Sequence, residues 1–153
     1  MHELLTNHVL WTAVVANITA EVLKVIVVRI AERHWDFGRM LETGGMPSSH
    51  VATVTALAVS IGIRYGWGSS AFAIAVVFGS IVFYDAANFR QAASRQAVVL
   101  NELLRAFEHL FDESEKPRAL KTLLGHTYPQ VFVGAVIGAS IALISFLILP
   151  HRF

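Results

Sequence analysis

Residues 44–50 read Gly-Gly-Met-Pro-Ser-Ser-His, directly ahead of an apolar helical run. Pro47 suits the first turn of a helix, and Ser48 and Ser49 can cap or occupy its start, where free N–H groups and the positive dipole end attract anions. Gly44 and Gly45 let the main chain approach a ligand closely, which would put His50 beside a phosphate-sized site. The same string also serves as an ordinary helix start with an interfacial histidine. A second segment reads Gly125-His126-Thr127-Tyr128-Pro129-Gln130-Val131, with Gly134 and Gly138 beyond it. An imidazole at a membrane entrance can attack phosphorus and form a phosphohistidine that water then cleaves. A lone interfacial histidine is the plainer alternative. Gly134, Gly138 and Ala142 form a small-residue stripe suited to close helix packing.

Charged groups lie near both segments in the order of the chain. Lys24 falls inside an apolar stretch with Glu21 three residues earlier, an expensive position unless the charge is paired, near a helix end or facing a polar cavity. It reads either as a snorkelling lysine or as a point charge for phosphate. Asp85 and Arg90 end a third apolar run, with Arg95 further on. Arg90 can offer a bidentate fork to phosphate oxygens, or serve as a topogenic charge with Asp85 as its salt-bridge partner. The chain has no cysteine, so disulfides, thiolate nucleophiles and thiolate metal sites are all excluded, and histidine must carry any nucleophilic chemistry.

The elements that must hold these residues are membrane helices. Of the 153 residues, 55% are hydrophobic and 15% charged, and the mean hydropathy is +0.57. That composition lies outside the range of soluble domains. The net charge of +1 supplies no basic field for a nucleic-acid partner. Four segments approach the roughly 20 apolar residues a bilayer requires: 8–31, 49–65, 70–87 and 129–150. The first has neither the cationic leader nor the cleavage site of a signal peptide, so it is expected to stay.

Arg64-Tyr65-Gly66-Trp67-Gly68 is short and Gly-rich, which makes the second and third spans an antiparallel hairpin. The polar stretches 32–48 and 88–128 then share the opposite face, and both termini lie on the hairpin side. Lys24, Arg29, Arg33, Arg39, Arg90, Arg95, Arg105, Lys116, Arg118 and Lys121 belong to that polar face, against Arg64 and Arg152 on the other. The positive-inside rule makes the polar face cytoplasmic, although an anion site would concentrate the same charges. Val99, Leu100, Leu103, Leu104, Phe107, Leu110 and Phe111 recur at helical spacing and predict an amphipathic helix. Residues 113–121 are charged, contain Pro117 and read as a loop. The fold class predicted is therefore all-α: one domain over residues 1–153, a polytopic helical bundle of about four transmembrane helices plus an amphipathic helix.

Lys24, Pro47-Ser48-Ser49-His50, and Gly125-His126 followed by Val131, Gly134 and Gly138 resemble the motifs of the type-2 phosphatidic acid phosphatase and vanadium haloperoxidase superfamily. The Gly-Gly-Met-Pro-Ser-Ser-His string and the pair Asp85 and Arg90 are similar to its small divergent branch of bacterial and plant membrane proteins. This resemblance implies a phosphatase that needs no metal and no cofactor. His126 would be the nucleophile and His50 the general acid, with Lys24, Ser48, Ser49 and Arg90 holding phosphate. Three positions depart from the pattern. Ser49 replaces a glycine, Gln130 stands where a carboxylate should support the nucleophilic histidine, and Leu120 stands where an arginine is usual, leaving Arg90 and Arg95 as replacements. Gln130 can orient the imidazole through its amide oxygen, and Asp85 is the candidate acid for stabilising it. The chain has fewer spans than six-helix members, which leaves a homodimer as a way to complete the bundle.

The expected activity is hydrolysis of a lipid phosphomonoester in the bacterial inner membrane, with the catalytic face cytoplasmic. Phosphatidylglycerophosphate or phosphatidic acid is the expected phospholipid substrate, ahead of isoprenyl phosphates. A membrane protein that binds anionic lipid headgroups without catalysis is the alternative from a different class.

Overall fold

The computed structural model describes residues 2–38, 44–107, 119–120, 122 and 125–149, without the side chains of His2 and Arg90. Arg39, Glu108, Leu110, Phe111, Asp112, Lys116, Pro117, Arg118, Lys121, Pro150 and Arg152 lie outside the described residues. The described regular structure is helical: α1 (His2–Leu5), α2 (His8–Glu32), α3 (Ser49–Tyr65), α4 (Ser70–Tyr84), a π turn (Asp85–Phe89), α5 (Arg90–Ala106) and α6 (Tyr128–Ile148).

Local chemistry sets the ends of these helices. The Asn7 side chain accepts the Leu10 N–H at 3.0 Å and caps α2. Ser69 caps α4 in the same way through Phe72 at 3.2 Å. Between α3 and α4, Gly66 takes a φ of 88° that ends the helix and turns the chain. Trp67 folds back over Gly62, where an added Cβ would come within 2.4 Å of the indole. The hairpin read from residues 64–68 is therefore formed, with α3 helical over the predicted bounds 49–65.

α3 is the central element and packs against α2, α4 and α6. Its approach to α6 runs along the small-residue stripe. A Cβ at Gly134 would stand 2.5 Å from the Ser48 carbonyl oxygen, and one at Gly138 would stand 2.2 Å from that of Ala52. Ala142, one turn on, is fully buried. Two backbones this close leave no room for side chains between them, as the stripe predicts. Asn17 on α2 donates to Thr53 on α3 at 3.0 Å and ties the remaining pair.

The third span differs from its predicted form. Instead of stopping near residue 87 ahead of a separate amphipathic helix, the chain runs through the π turn as one helical rod, Ser70–Ala106, of 37 residues. No glycine or proline occurs between Gly79 and Ala106 to break it. At 1.5 Å per residue the rod is about 55 Å long, well beyond a hydrocarbon core of roughly 30 Å, so part of it must emerge.

Ser70–Ala106 and Tyr128–Ile148 are long and apolar enough to cross a membrane. Both present large apolar side chains outward, among them Ile74, Val77, Phe78, Phe132, Leu143 and Leu147, as helices facing lipid do. Among the other two predicted spans, α2 carries Glu21, Lys24, Arg29 and Glu32, and α3 has 17 residues, about 26 Å.

Candidate active site

His126 is only 2% exposed and is held from several sides. Its main-chain N–H donates to the Ala86 carbonyl in the π turn at 3.0 Å. Its carbonyl accepts from the Gln91 side-chain amide at 2.7 Å. Its ring Nδ1 lies 3.0 Å from the Gly45 carbonyl oxygen. The segment before α6 is thus fastened both to the rod and to the loop before α3. The π turn, a feature common at functional sites, is where the rod meets this segment.

Beside the ring is a cavity of about 250 Å³ lined by His50, Ile81, Val82, Asp85, Ala86 and His126. His50 comes from the first turn of α3 and is exposed, while Asp85 opens the π turn. The three residues assigned catalytic roles from sequence are therefore gathered on one cavity, drawn from α3, the rod and the α6 entry. Burial pushes the His126 pKa below its ordinary value, and the nearby Lys24 and His50 charges push the same way. The Gly45 carbonyl and a Gln130 side-chain hydrogen bond oppose this without cancelling it.

The residues assigned to phosphate are distributed differently. Lys24 is 1% exposed and pairs with Glu21 at 2.9 Å. Its stem passes beneath Gly45, where an added Cβ would meet Lys24 Cγ at 3.4 Å. Ser48 and Ser49 are buried at the start of α3, and the Ser48 hydroxyl has no hydrogen-bond partner among the described residues. Lys24, Ser48 and Ser49 therefore lie close to the histidine but do not line the cavity. Arg95 is exposed on α5 and does not line it either. Arg90 begins α5, and its side chain lies outside the description.

Gln130 has a role in helix structure. Its Oε1 accepts the Thr127 N–H at 3.0 Å and so caps the first turn of α6. Its main-chain carbonyl accepts the Ser48 N–H at 3.3 Å, joining the starts of α6 and α3. Three groups around His126 escaped the sequence reading: the carbonyls of Gly45 and Ala86, and the Gln91 amide. Only Gly45 had a signal, as one of two glycines marked for close main-chain approach.

A second, larger groove of about 580 Å³ lies between α3 and α4. It runs from Trp67 at the hairpin, past Val54, Ala58, Phe72 and Ala75, to Asn88 and Tyr128 beside the π turn. At that end Tyr128 donates from its hydroxyl to Asn88 Oδ1 at 3.3 Å. The groove therefore joins the hairpin end of the molecule to the level of His126.

A family model described as the Divergent PAP2 family matches residues 5–141. The chain is 39% identical over 151 residues to the "Uncharacterized membrane protein YuiD" of Bacillus subtilis (strain 168), across 93% of this chain and 96% of that relative. No solved structure matches.

Proposed function

Because the chain belongs to the divergent PAP2 family, we propose that it is an integral-membrane phosphatase that hydrolyses a lipid phosphomonoester at the cavity between His50, Asp85 and His126. The observation that carries this reading is the meeting of those three side chains on one cavity, with Lys24 buried nearby. His126 Nε2 attacks phosphorus, and the alcohol oxygen leaves with a proton supplied by His50. Water, giving a proton to His50, then attacks the phosphohistidine, and the P–N bond breaks to release inorganic phosphate and restore both imidazoles. Lys24, Ser48, Ser49 and Arg90 are the phosphate-binding groups in this reading, and the Ser48 hydroxyl, without a partner among the described residues, is a suitable donor to a phosphate oxygen.

The apolar groove supports a lipid as the substrate. Its length and walls suit one hydrocarbon chain, and its Tyr128 end would bring the attached phosphate to the level of His126. Phosphatidylglycerophosphate and phosphatidic acid are the substrates favoured, with all four long helices crossing the membrane. The one-sided Lys and Arg distribution supports a cytoplasmic catalytic face in a bacterial inner membrane.

A second reading, a headgroup binder without catalysis, draws support from the pairing of Lys24 with Glu21 and from Gln130 in place of a carboxylate. Phosphate release by the purified protein from a panel of lipid phosphates, with and without chelator, separates the two. Release that survives chelator is the expected result. Binding to these lipids with no release from any of them would overturn the phosphatase reading.

A further inference from the structure

A nucleophilic imidazole needs its attacking nitrogen free of hydrogen, and enzymes that use one secure this by fixing the proton on the other nitrogen. The residue expected to do so from its place in the sequence, Gln130, divides its side chain between the Thr127 N–H, which its Oε1 accepts, and a hydrogen bond to His126. Asp85 lines the cavity with His50 and His126. The group placed at Nδ1 is the main-chain carbonyl of Gly45, 3.0 Å away and 81 positions distant in the chain. A carbonyl oxygen can only accept, so the contact is a hydrogen bond only when Nδ1 carries the proton. In the neutral ring Nε2 is then the nitrogen with the free lone pair.

We propose that Gly45 is a positioning residue whose main-chain carbonyl holds His126 in the tautomer that leaves Nε2 unprotonated, taking the place of the carboxylate missing at position 130. The inference rests on the reading of His126 as the nucleophile. Two features of Gly45 make its carbonyl suitable. Its φ of 88° lies in the left-handed region, which side-chain-bearing residues adopt only with strain, and this conformation carries the carbonyl toward the ring. Beneath it lies the stem of Lys24, with the nearest carbon 3.4 Å from where a Cβ would be. Space for a methyl group exists there, so replacement by alanine acts on the backbone conformation and leaves the packing nearly unchanged. The stem of Lys24 in turn supports the loop that carries the carbonyl, so one buried lysine serves both the charge and the aim of the site.

Gly66 supplies a matched control. It has the same φ of 88°, at the hairpin, with nothing within 4 Å of an added Cβ, so Gly66→Ala imposes comparable strain far from the histidine. The test is the tautomer of His126 by long-range ¹H–¹⁵N spectroscopy of ¹⁵N-histidine-labelled full-length protein in nanodiscs at pH 7.5. The signals are assigned by their loss in His126→Gln. The expected result is the Nδ1–H form in the wild type and in Gly66→Ala, with Nε2–H signal emerging in Gly45→Ala. Turnover should fall in Gly45→Ala alone, by roughly tenfold or more, the scale of one hydrogen bond to a reacting group. An Nε2–H wild type, or a Gly45→Ala protein that keeps the Nδ1–H form, overturns the proposal. A wild type in the Nδ1–H form that releases phosphate from no lipid upholds the positioning by Gly45 and removes the phosphatase reading instead.

Discussion

The side-chain amide of Gln91 donates to the main-chain carbonyl of His126 at 2.7 Å, linking the rod to the entry of α6 across 35 positions. Together with the Ala86 carbonyl, which accepts the His126 N–H at 3.0 Å, it satisfies both main-chain polar groups of a buried residue. The backbone of His126 is thereby fixed independently of its ring.

Replacing Gln91 by leucine leaves that carbonyl without its donor in a partly buried place, at a cost of about 1–3 kcal/mol. Gln91→Leu is expected to lower the thermal midpoint in detergent, and to reduce turnover even where the protein remains folded. Gln91→Glu should behave like leucine, because a carboxylate cannot donate to a carbonyl. Wild-type stability in both variants would show that the bond carries no weight.

Burial and the neighbouring Lys24 and His50 charges hold the His126 pKa below the ordinary value of about 6.5. The unfolded chain therefore binds this proton more readily than the folded one in the window from about 6.5 down to the lowered value. Stability from the neutral ring is present above about pH 6.5 and is lost as pH falls through the folded pKa. His126→Gln should show a smaller drop in thermal midpoint between pH 7.5 and pH 5 than the wild type. The acid limb of turnover set by the nucleophile should likewise fall below pH 6.5. An acid limb centred well above 6.5 would mean that a different group titrates.

The hairpin, the span bounds of α3 and the close packing along Gly134 and Gly138 were legible because glycine and apolar periodicity report directly on main-chain geometry. The gathering of His50, Asp85 and His126 followed from topology alone, since one short turn at residues 64–68 forces the intervening ends to one face. The support of the imidazole was not legible. A main-chain carbonyl has no side-chain signature, and Gly45 looks like any turn glycine until its partner is known. Nor did the run from Asp85 to Phe89 announce a π turn, because its composition suits an ordinary helix. Lys24 was legible as an expensive buried charge, but its pairing with Glu21 had to be seen in space.

If the groove between α3 and α4 receives a hydrocarbon chain, narrowing it should discriminate among substrates by chain length. Ala58 lies on its wall, and Ala58→Phe would occupy volume midway between Trp67 and Tyr128. The expected result is a rise in KM for long-chain lipid phosphates of tenfold or more, within the range a hydrophobic pocket can exert over substrates. Hydrolysis of a short, soluble phosphomonoester should stay near the wild-type rate. Equal effects on long and short substrates would mean that the substitution disturbs the helix pair and leaves no specific role for the groove.

Asp85 and Gln130 both compete for the role of the missing acid, and the structure separates what each can do. Gln130 caps the first turn of α6 through Thr127 and joins it to Ser48 through its own carbonyl, so its side chain stabilises the helix start as well as hydrogen-bonding His126. Removing such a cap costs about 1 kcal/mol. Asp85 opens the π turn and lines the cavity beside His50 and His126, where in the proposed reaction its carboxylate can accept a hydrogen bond from an imidazole and so orient it. Gln130→Ala is therefore expected to lower the thermal midpoint while turnover per folded molecule stays within a few fold. Asp85→Asn should keep the fold and reduce turnover by roughly 10²-fold or more, on the scale of lost acid–base help. Turnover per folded molecule is the discriminating readout, because a merely structural carboxylate would leave it unchanged. Should well-folded Asp85→Asn retain full turnover while Gln130→Ala is inactive, the assignments reverse: Gln130 then serves the imidazole and Asp85 serves the helix.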